Sequence, residues 1–171
     1  MKVYFADMKG VFSEKEVWQI LEQVCDPEIP VLTVLDLGIV REVRIREEAV
    51  EVVITPTYSG CPAMHAIEVN IRAVLQENGI DPVIVTTVLS PAWTTEWISA
   101  RGREKLLEYG IAPPQQESLD KNALFQTVRE VPCPLCSSTS TEMISQFGST
   151  ACKALFRCLE CREPFDYFKC H

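Results

Sequence analysis

Two Cys-x-x-Cys pairs constrain this chain more than any other feature. Cys133 and Cys136 in CPLC, and Cys158 and Cys161 in CLEC, have 21 residues between them. Each pair can turn its thiolates inward in one tight knuckle. Two knuckles then supply four sulfurs, the tetrahedral set that Zn²⁺ favours. The runs EMISQFG and ALFRC between the knuckles, and FDYF after the second, have the character of short strands. This pattern predicts a small zinc ribbon over residues 128–171. A segment of about 40 residues cannot bury a self-sufficient core, so the metal takes the place of one. Four thiolates leave no open position for water, which predicts a structural rather than a catalytic ion. A four-cysteine set can also hold an iron–sulfur cluster, and that alternative stays open at this point.

Two further cysteines lie in the same region. Cys152 is accounted for if it is buried beside the ribbon, since cysteine is a frequent core residue. Cys170, followed by His171, is harder to place in a core. If these two approach Cys152, the three make a candidate second ligand set. A disulfide framework is disfavoured, because the first residues contain no apolar run leading to a small-residue cleavage site. The expected location is the cytoplasm, where thiols stay reduced and clustered cysteines serve metals or chemistry.

The 171 residues, with 47% apolar side chains, allow a main domain plus a small module. No apolar run approaches the roughly 20 residues that a membrane helix needs, so no membrane partner is expected. Net charge is −8; residues 1–127 hold 11 Lys/Arg against 19 Asp/Glu, and residues 128–171 hold five of each. Neither part offers the basic patch that phosphate neutralisation requires, so no nucleic-acid partner is expected either.

The first part of the chain alternates helix and strand signals. Ser13 followed by Glu16 makes a capping box, and Val17, Ile20, Leu21 and Val24 then share one helical face. DPEIPVLTVLDLG, with two prolines three apart, predicts an extended, stiff loop. IVREVRIR (39–46) and AVEVVITP (49–56) alternate as strands and are joined closely enough to form an antiparallel hairpin. A second helix is expected over about 63–78, ending at Gly79. PVIVTTVLS (82–90) is a third strand, and the helix before it implies a right-handed crossover and parallel pairing with the second strand. A third helix over roughly 94–109 closes the domain. The expected fold class is therefore α+β: a two-layer α-β-β-α-β-α domain over residues 1–111, with the second, small zinc ribbon at the C-terminus. Residues 112–127 are proline-led and polar and are expected to be a linker; Leu124 and Phe125 leave room for an ordered strap instead.

One cysteine stands apart, in TYSGCPAMHAI. Proline suits the first helical position, which would put Pro62 there and Cys61 at the N-cap. The free amides of a helix start favour an anion, so Cys61 is expected to have a lowered pKa and to be reactive or ligand-competent. His65, one turn on, could assist. The bland alternative makes Cys61 a small cap residue and His65 a surface histidine. Only two histidines occur in the chain. No Cys/His/Asn arrangement, phosphate loop or His/carboxylate metal triad can be assembled from the sequence. The chain is not expected to be an enzyme on its own.

DPEIPVLTVLDLGIV (26–40) followed by TPTYSGCPAM (55–64) resembles the signature of the iron–sulfur cluster assembly domain family. The resemblance spans about residues 13–110 and implies the same α-β-β-α-β-α order. It places the family's cluster-handling thiol at Cys61, with Asp26 and Glu28 of the Asp-Pro-Glu match as supporting residues. The tail from CPLC to FKCH resembles the C-terminus of the D-type (also J-type) subunits of bacterial phenylacetyl-CoA epoxidase systems. Those systems oxygenate an aromatic ring with a di-iron oxygenase and an iron–sulfur flavoprotein reductase. The resemblance implies an accessory protein of phenylacetate catabolism that assists assembly of iron or iron–sulfur centres in those partners. It implies a structural zinc together with transiently held iron or cluster. The alternatives are a docking subunit without metal transfer, or a thiol-dependent or oxygenase catalyst. A lone thiol also invites a homodimer that shares a cluster between two copies of Cys61.

Overall fold

The computed structural model describes residues 12–58, 60–115 and 131–169. The chain divides into two compact units, Met1–Trp93 and Thr94–His171. In the first, helix α1 (Glu14–Leu21) begins at the expected capping box. The Ser13 hydroxyl accepts from the Glu16 amide at 3.3 Å, and the Glu16 carboxylate accepts from the Ser13 amide at 2.7 Å. Strands β1 (Val40–Ile45) and β2 (Val50–Ile54) form the antiparallel hairpin, with a bulge between Val40 and Glu42. Helix α2 (Met64–Glu77) crosses over to β3 (Val83–Thr87), which pairs parallel to β2. The sheet order is β1-β2-β3.

Helix α1 packs on α2 and β1, and α2 packs on β3, so helices and sheet form two layers. Val17, Leu21, Ile67, Ile71 and Leu75 of the helices are buried, as are Val43, Val50, Val52 and Ile54 of the strands. Gly79, at φ +85°, ends α2 in the left-handed conformation that glycine tolerates best.

The segment after α1 departs from the extended loop expected there. It folds back on itself: the Asp26 amide donates to Leu32 O at 2.8 Å and the Val34 amide to Val24 O at 2.9 Å, with a bridge between Cys25 and Thr33. Pro27 and Pro30 fit this tight turn because neither has an amide proton to satisfy. The turn is closed by a side chain, since the Asp26 carboxylate accepts from both the Glu28 and Ile29 amides at 2.8 Å.

The second unit opens with a 3₁₀ turn (Thr95–Trp97) and helix α3 (Ala100–Glu108), capped by Ser99. The sequence predicts that α3 closes the first domain. In the fold it leads instead through Gly110 into a two-residue strand, β4 (Ile111–Ala112). Strands β5 (Thr141–Ser145), β6 (Lys153–Cys158) and β7 (Pro164–Phe168) follow, and β4 pairs parallel to β7 in a sheet of order β4-β7-β6-β5. The core of this sheet is small. Ala112, Val131, Ala154, Phe156, Phe165 and Tyr167 pack together with two of the zinc-pattern cysteines, Cys133 and Cys158. Most of the expected 112–127 linker, including Leu124 and Phe125, lies outside the described residues. Among the described residues no helix is long and apolar enough to cross a membrane.

Candidate functional site

The two knuckles bring Cys133, Cys136, Cys158 and Cys161 together, with all four sulfurs within 4.8 Å of one another. Between the knuckles, Cys136 and Cys158 lie 3.5 Å apart and Cys133 and Cys161 3.8 Å apart. One ion with metal–sulfur bonds of about 2.3 Å at the centre of a tetrahedron needs edges of about 3.8 Å. The sulfurs therefore fit a single tetrahedral ion. An iron–sulfur cluster would place two or more irons between the thiolates and hold them further apart.

The knuckles are built alike. The residue after the second cysteine of each, Ser137 (φ 61°) and Arg162 (φ 67°), takes the left-handed conformation. That turn aims backbone amides at the sulfurs. Ser138 N–H donates to Cys136, Glu163 N–H to Cys161, and both Cys161 and Glu160 N–H to Cys158. Such amides stabilise negative sulfur and orient the ligands. With no cation, the amide bonds from Cys161 and Glu160 hold the Cys158 thiol down at about 6. Cys161 receives the Glu163 amide, yet burial and its three neighbouring sulfurs push it up to about 12. The tetrad thus holds protons that a metal must displace, so metal binding releases protons and weakens as pH falls.

Of the expected second ligand set, Cys170 and His171 lie outside the described residues. Cys152 is 7% exposed, and its sulfur lies 3.1 Å from the Thr150 hydroxyl. It is not part of the four-sulfur group.

Cys61 stands on the loop between β2 and α2. The sequence pattern puts it at the N-cap of the helix with Pro62 next, but the N-cap is Ala63, without a side-chain cap bond. The reason is local. The Cys61 amide donates to Tyr58 O at 3.1 Å and the Met64 amide to Cys61 O at 3.3 Å, so a separate turn precedes the helix. Within that turn the Ala63 amide donates to the sulfur itself, and the Thr57 hydroxyl bonds to it as well. Sequence reasoning does not single out Thr57; its only signal is a hydroxyl four residues before the cysteine.

The expected lowering of the Cys61 pKa is also reversed. Burial pushes the half-buried thiol up, and the carboxylates of Glu28 and Asp26 push it further; the Ala63 amide and Thr57 hydroxyl oppose them without winning. The fold thus brings the Asp-Pro-Glu turn and the lone cysteine together across 35 residues of sequence, the separation of Asp26 and Cys61. His65 is exposed on the first turn of α2. With its pKa raised, Cys61 is a protonated thiol at neutral pH. Glu28→Gln removes one of the two carboxylate charges, and iodoacetamide is expected to alkylate Cys61 several-fold faster in the variant at pH 7.5. Mass spectrometry of the Cys61 peptide measures the rate; an unchanged or slower rate would mean that Glu28 does not hold the thiol protonated.

Comparison with known proteins agrees with this geometry. Residues 14–88 match the family model described as iron–sulfur cluster assembly protein, and residues 117–169 match the model described as PaaD zinc beta ribbon domain. The chain is 53% identical over 155 residues to an Escherichia coli (strain K12) protein assigned as the D subunit of 1,2-phenylacetyl-CoA epoxidase, covering 91% of this chain and 92% of that one. The chain belongs to the family of D-type phenylacetyl-CoA epoxidase subunits. This D-type chain is also 32% identical over 101 residues to an Fe-S protein maturation auxiliary factor of Porphyromonas gingivalis (strain ATCC BAA-308 / W83), covering 58% of this chain and 92% of the relative. The crystal structure of a domain of unknown function, DUF59, from Bacillus anthracis is similar at 29% identity with a TM-score of 0.51, covering 54% of this chain and 90% of that one. The D-type architecture thus joins an assembly-type α+β domain to a zinc-ribbon domain with a four-cysteine centre.

Proposed function

We propose that this protein is an accessory maturation subunit of a phenylacetyl-CoA epoxidase, located in the cytoplasm and not itself the catalyst. Its Cys61 loop takes up iron or an iron–sulfur cluster and passes it to the di-iron oxygenase or the iron–sulfur flavoprotein reductase. The ribbon, held by structural zinc, docks on those partners. The observation that carries the reading is the half-buried Cys61 thiol acted on by the Glu28 and Asp26 carboxylates.

The arrangement suits uptake and release. The carboxylates draw a cation to the loop, and its charge offsets theirs, so the proton leaves the sulfur and the thiolate becomes a ligand. When the cargo moves to a site with more thiolates or carboxylates, the two charges act on Cys61 again and favour the protonated, non-ligating thiol. A second copy of the chain could add its own Cys61 to a shared cluster.

Anaerobic titration of the purified, zinc-loaded chain with ferrous iron and sulfide tests the reading. The expected result is iron bound in excess of the ribbon metal, with thiolate-to-iron absorption, and its loss in Cys61→Ser with zinc content unchanged. Equal iron binding by the variant would remove Cys61 from the mechanism.

A further inference from the structure

We propose that the ribbon centre is a peroxide-sensitive metal-release switch that opens at Cys136 and closes as a Cys136–Cys158 disulfide. The four sulfurs are not equivalent. Cys133 and Cys158 are 1% and 0% exposed and belong to the apolar cluster of the second unit. Cys161 is partly buried and packs against that cluster. Cys136 is exposed. A hydroperoxide arriving from solvent therefore meets Cys136 first, since oxidation of thiolates follows exposure and nucleophilic character.

Hydrogen bonding adds to this ordering. Cys158 accepts the backbone amide of Cys161 at 3.5 Å, from within its own knuckle. Each amide draws charge from the sulfur that accepts it and blunts its attack on an electrophile. Cys161 likewise accepts one amide, from Glu163, but its packing shields it.

The second step follows from distance. The Cys158 sulfur, in the other knuckle, lies 3.5 Å from that of Cys136, within easy reach of it. The Cys136 thiolate attacks the peroxide, its sulfur taking one oxygen as sulfenic acid while the O–O bond breaks and the other oxygen leaves as water after protonation. The Cys158 sulfur then displaces the sulfenic oxygen as a second water and forms the S–S bond. Two thiolates have lost two electrons in all, and the peroxide has gained them with two protons. The metal keeps Cys133 and Cys161 alone and dissociates. A dithiol reductant returns both thiolates and allows the ion to rebind.

The test uses the full, zinc-loaded chain with sub-stoichiometric hydrogen peroxide. Zinc release is followed with a coloured chelator, and the cysteines are mapped by mass spectrometry under non-reducing conditions. The readout is metal release, so oxidation of the exposed Cys25 and the half-buried Cys61 does not register in it. The expected result is zinc release in step with a Cys136–Cys158 cross-link, reversed by dithiothreitol. A dominant link within one knuckle, a Cys133–Cys161 link, or oxidation of Cys25 and Cys61 without zinc release would overturn the proposal. Cys136→His keeps a fourth ligand while removing the attacked sulfur, and should release zinc several-fold more slowly; an unchanged rate would also overturn it. Should that variant fail to hold zinc, the cross-link map of the unsubstituted chain decides alone.

Discussion

Chelating the ribbon metal is expected to unfold the ribbon over residues 131–169 and to leave the first unit folded. The ribbon core is a handful of side chains, and two of its members, Cys133 and Cys158, belong to the four-sulfur group. Structural zinc in small modules contributes on the order of 10–16 kcal/mol of apparent binding free energy at neutral pH. That is comparable to the whole stability of an ordinary domain, about 5–15 kcal/mol. Without the ion, sulfurs 3.5–3.8 Å apart can remain together only by sharing protons, and each knuckle is left with its turn hydrogen bonds, such as Ser137 N–H to Cys133 O and Cys158 N–H to Glu163 O. The first unit has its own buried layer between α1, α2 and the sheet. Limited proteolysis after chelation should cut within 128–171 and leave a protected fragment containing α1 to β3. Circular dichroism should show strand signal lost and helix signal largely kept. Loss of both units together would contradict this account.

Asp26→Ala is expected to destabilise the first unit by opening the turn after α1. The Asp26 carboxylate accepts from two backbone amides, Glu28 at a partly buried site and Ile29 at a buried one. An unmet buried donor costs roughly 1–3 kcal/mol, so loss of both amounts to about 2–4 kcal/mol once partial hydration of the Glu28 amide is allowed for. Asp26→Asn keeps an oxygen at the acceptor position and should cost less than about 1.5 kcal/mol, a single hydrogen bond's worth. Urea unfolding followed by tryptophan fluorescence, to which Trp18 and Trp93 of the first unit contribute, separates the two variants. Equal stability of Asp26→Ala and Asp26→Asn would show that the carboxylate does not close the turn.

What can be read from the residues depends on how local the cause is. The capping box of α1, the β1–β2 hairpin and the parallel β2–β3 pairing each follow from patterns within one or two elements, and each is present. The four thiolates announce themselves by spacing and meet as expected. Sequence patterns misplace the α2 cap because the Cys61 sulfur takes the Ala63 amide and starts a separate turn, a choice that no propensity encodes. They misjudge the thiol's pKa for a longer-range reason. A helix start alone would lower it, but burial and two carboxylates from the turn after α1 reverse the direction. Strand β4 is invisible in the sequence because two residues carry no alternation; only its pairing with Asp166 and Tyr167 of β7 defines it.

If Cys61 hands iron to the oxygenase system, as proposed, the iron content of the partners depends on it. The oxygenase and reductase subunits would be purified from cells carrying either the unsubstituted chain or Cys61→Ser, and their iron and acid-labile sulfide measured. The account predicts that the partners still assemble with the variant but that one of them lacks most of its metal. Fully metallated, active partners from Cys61→Ser cells would contradict it.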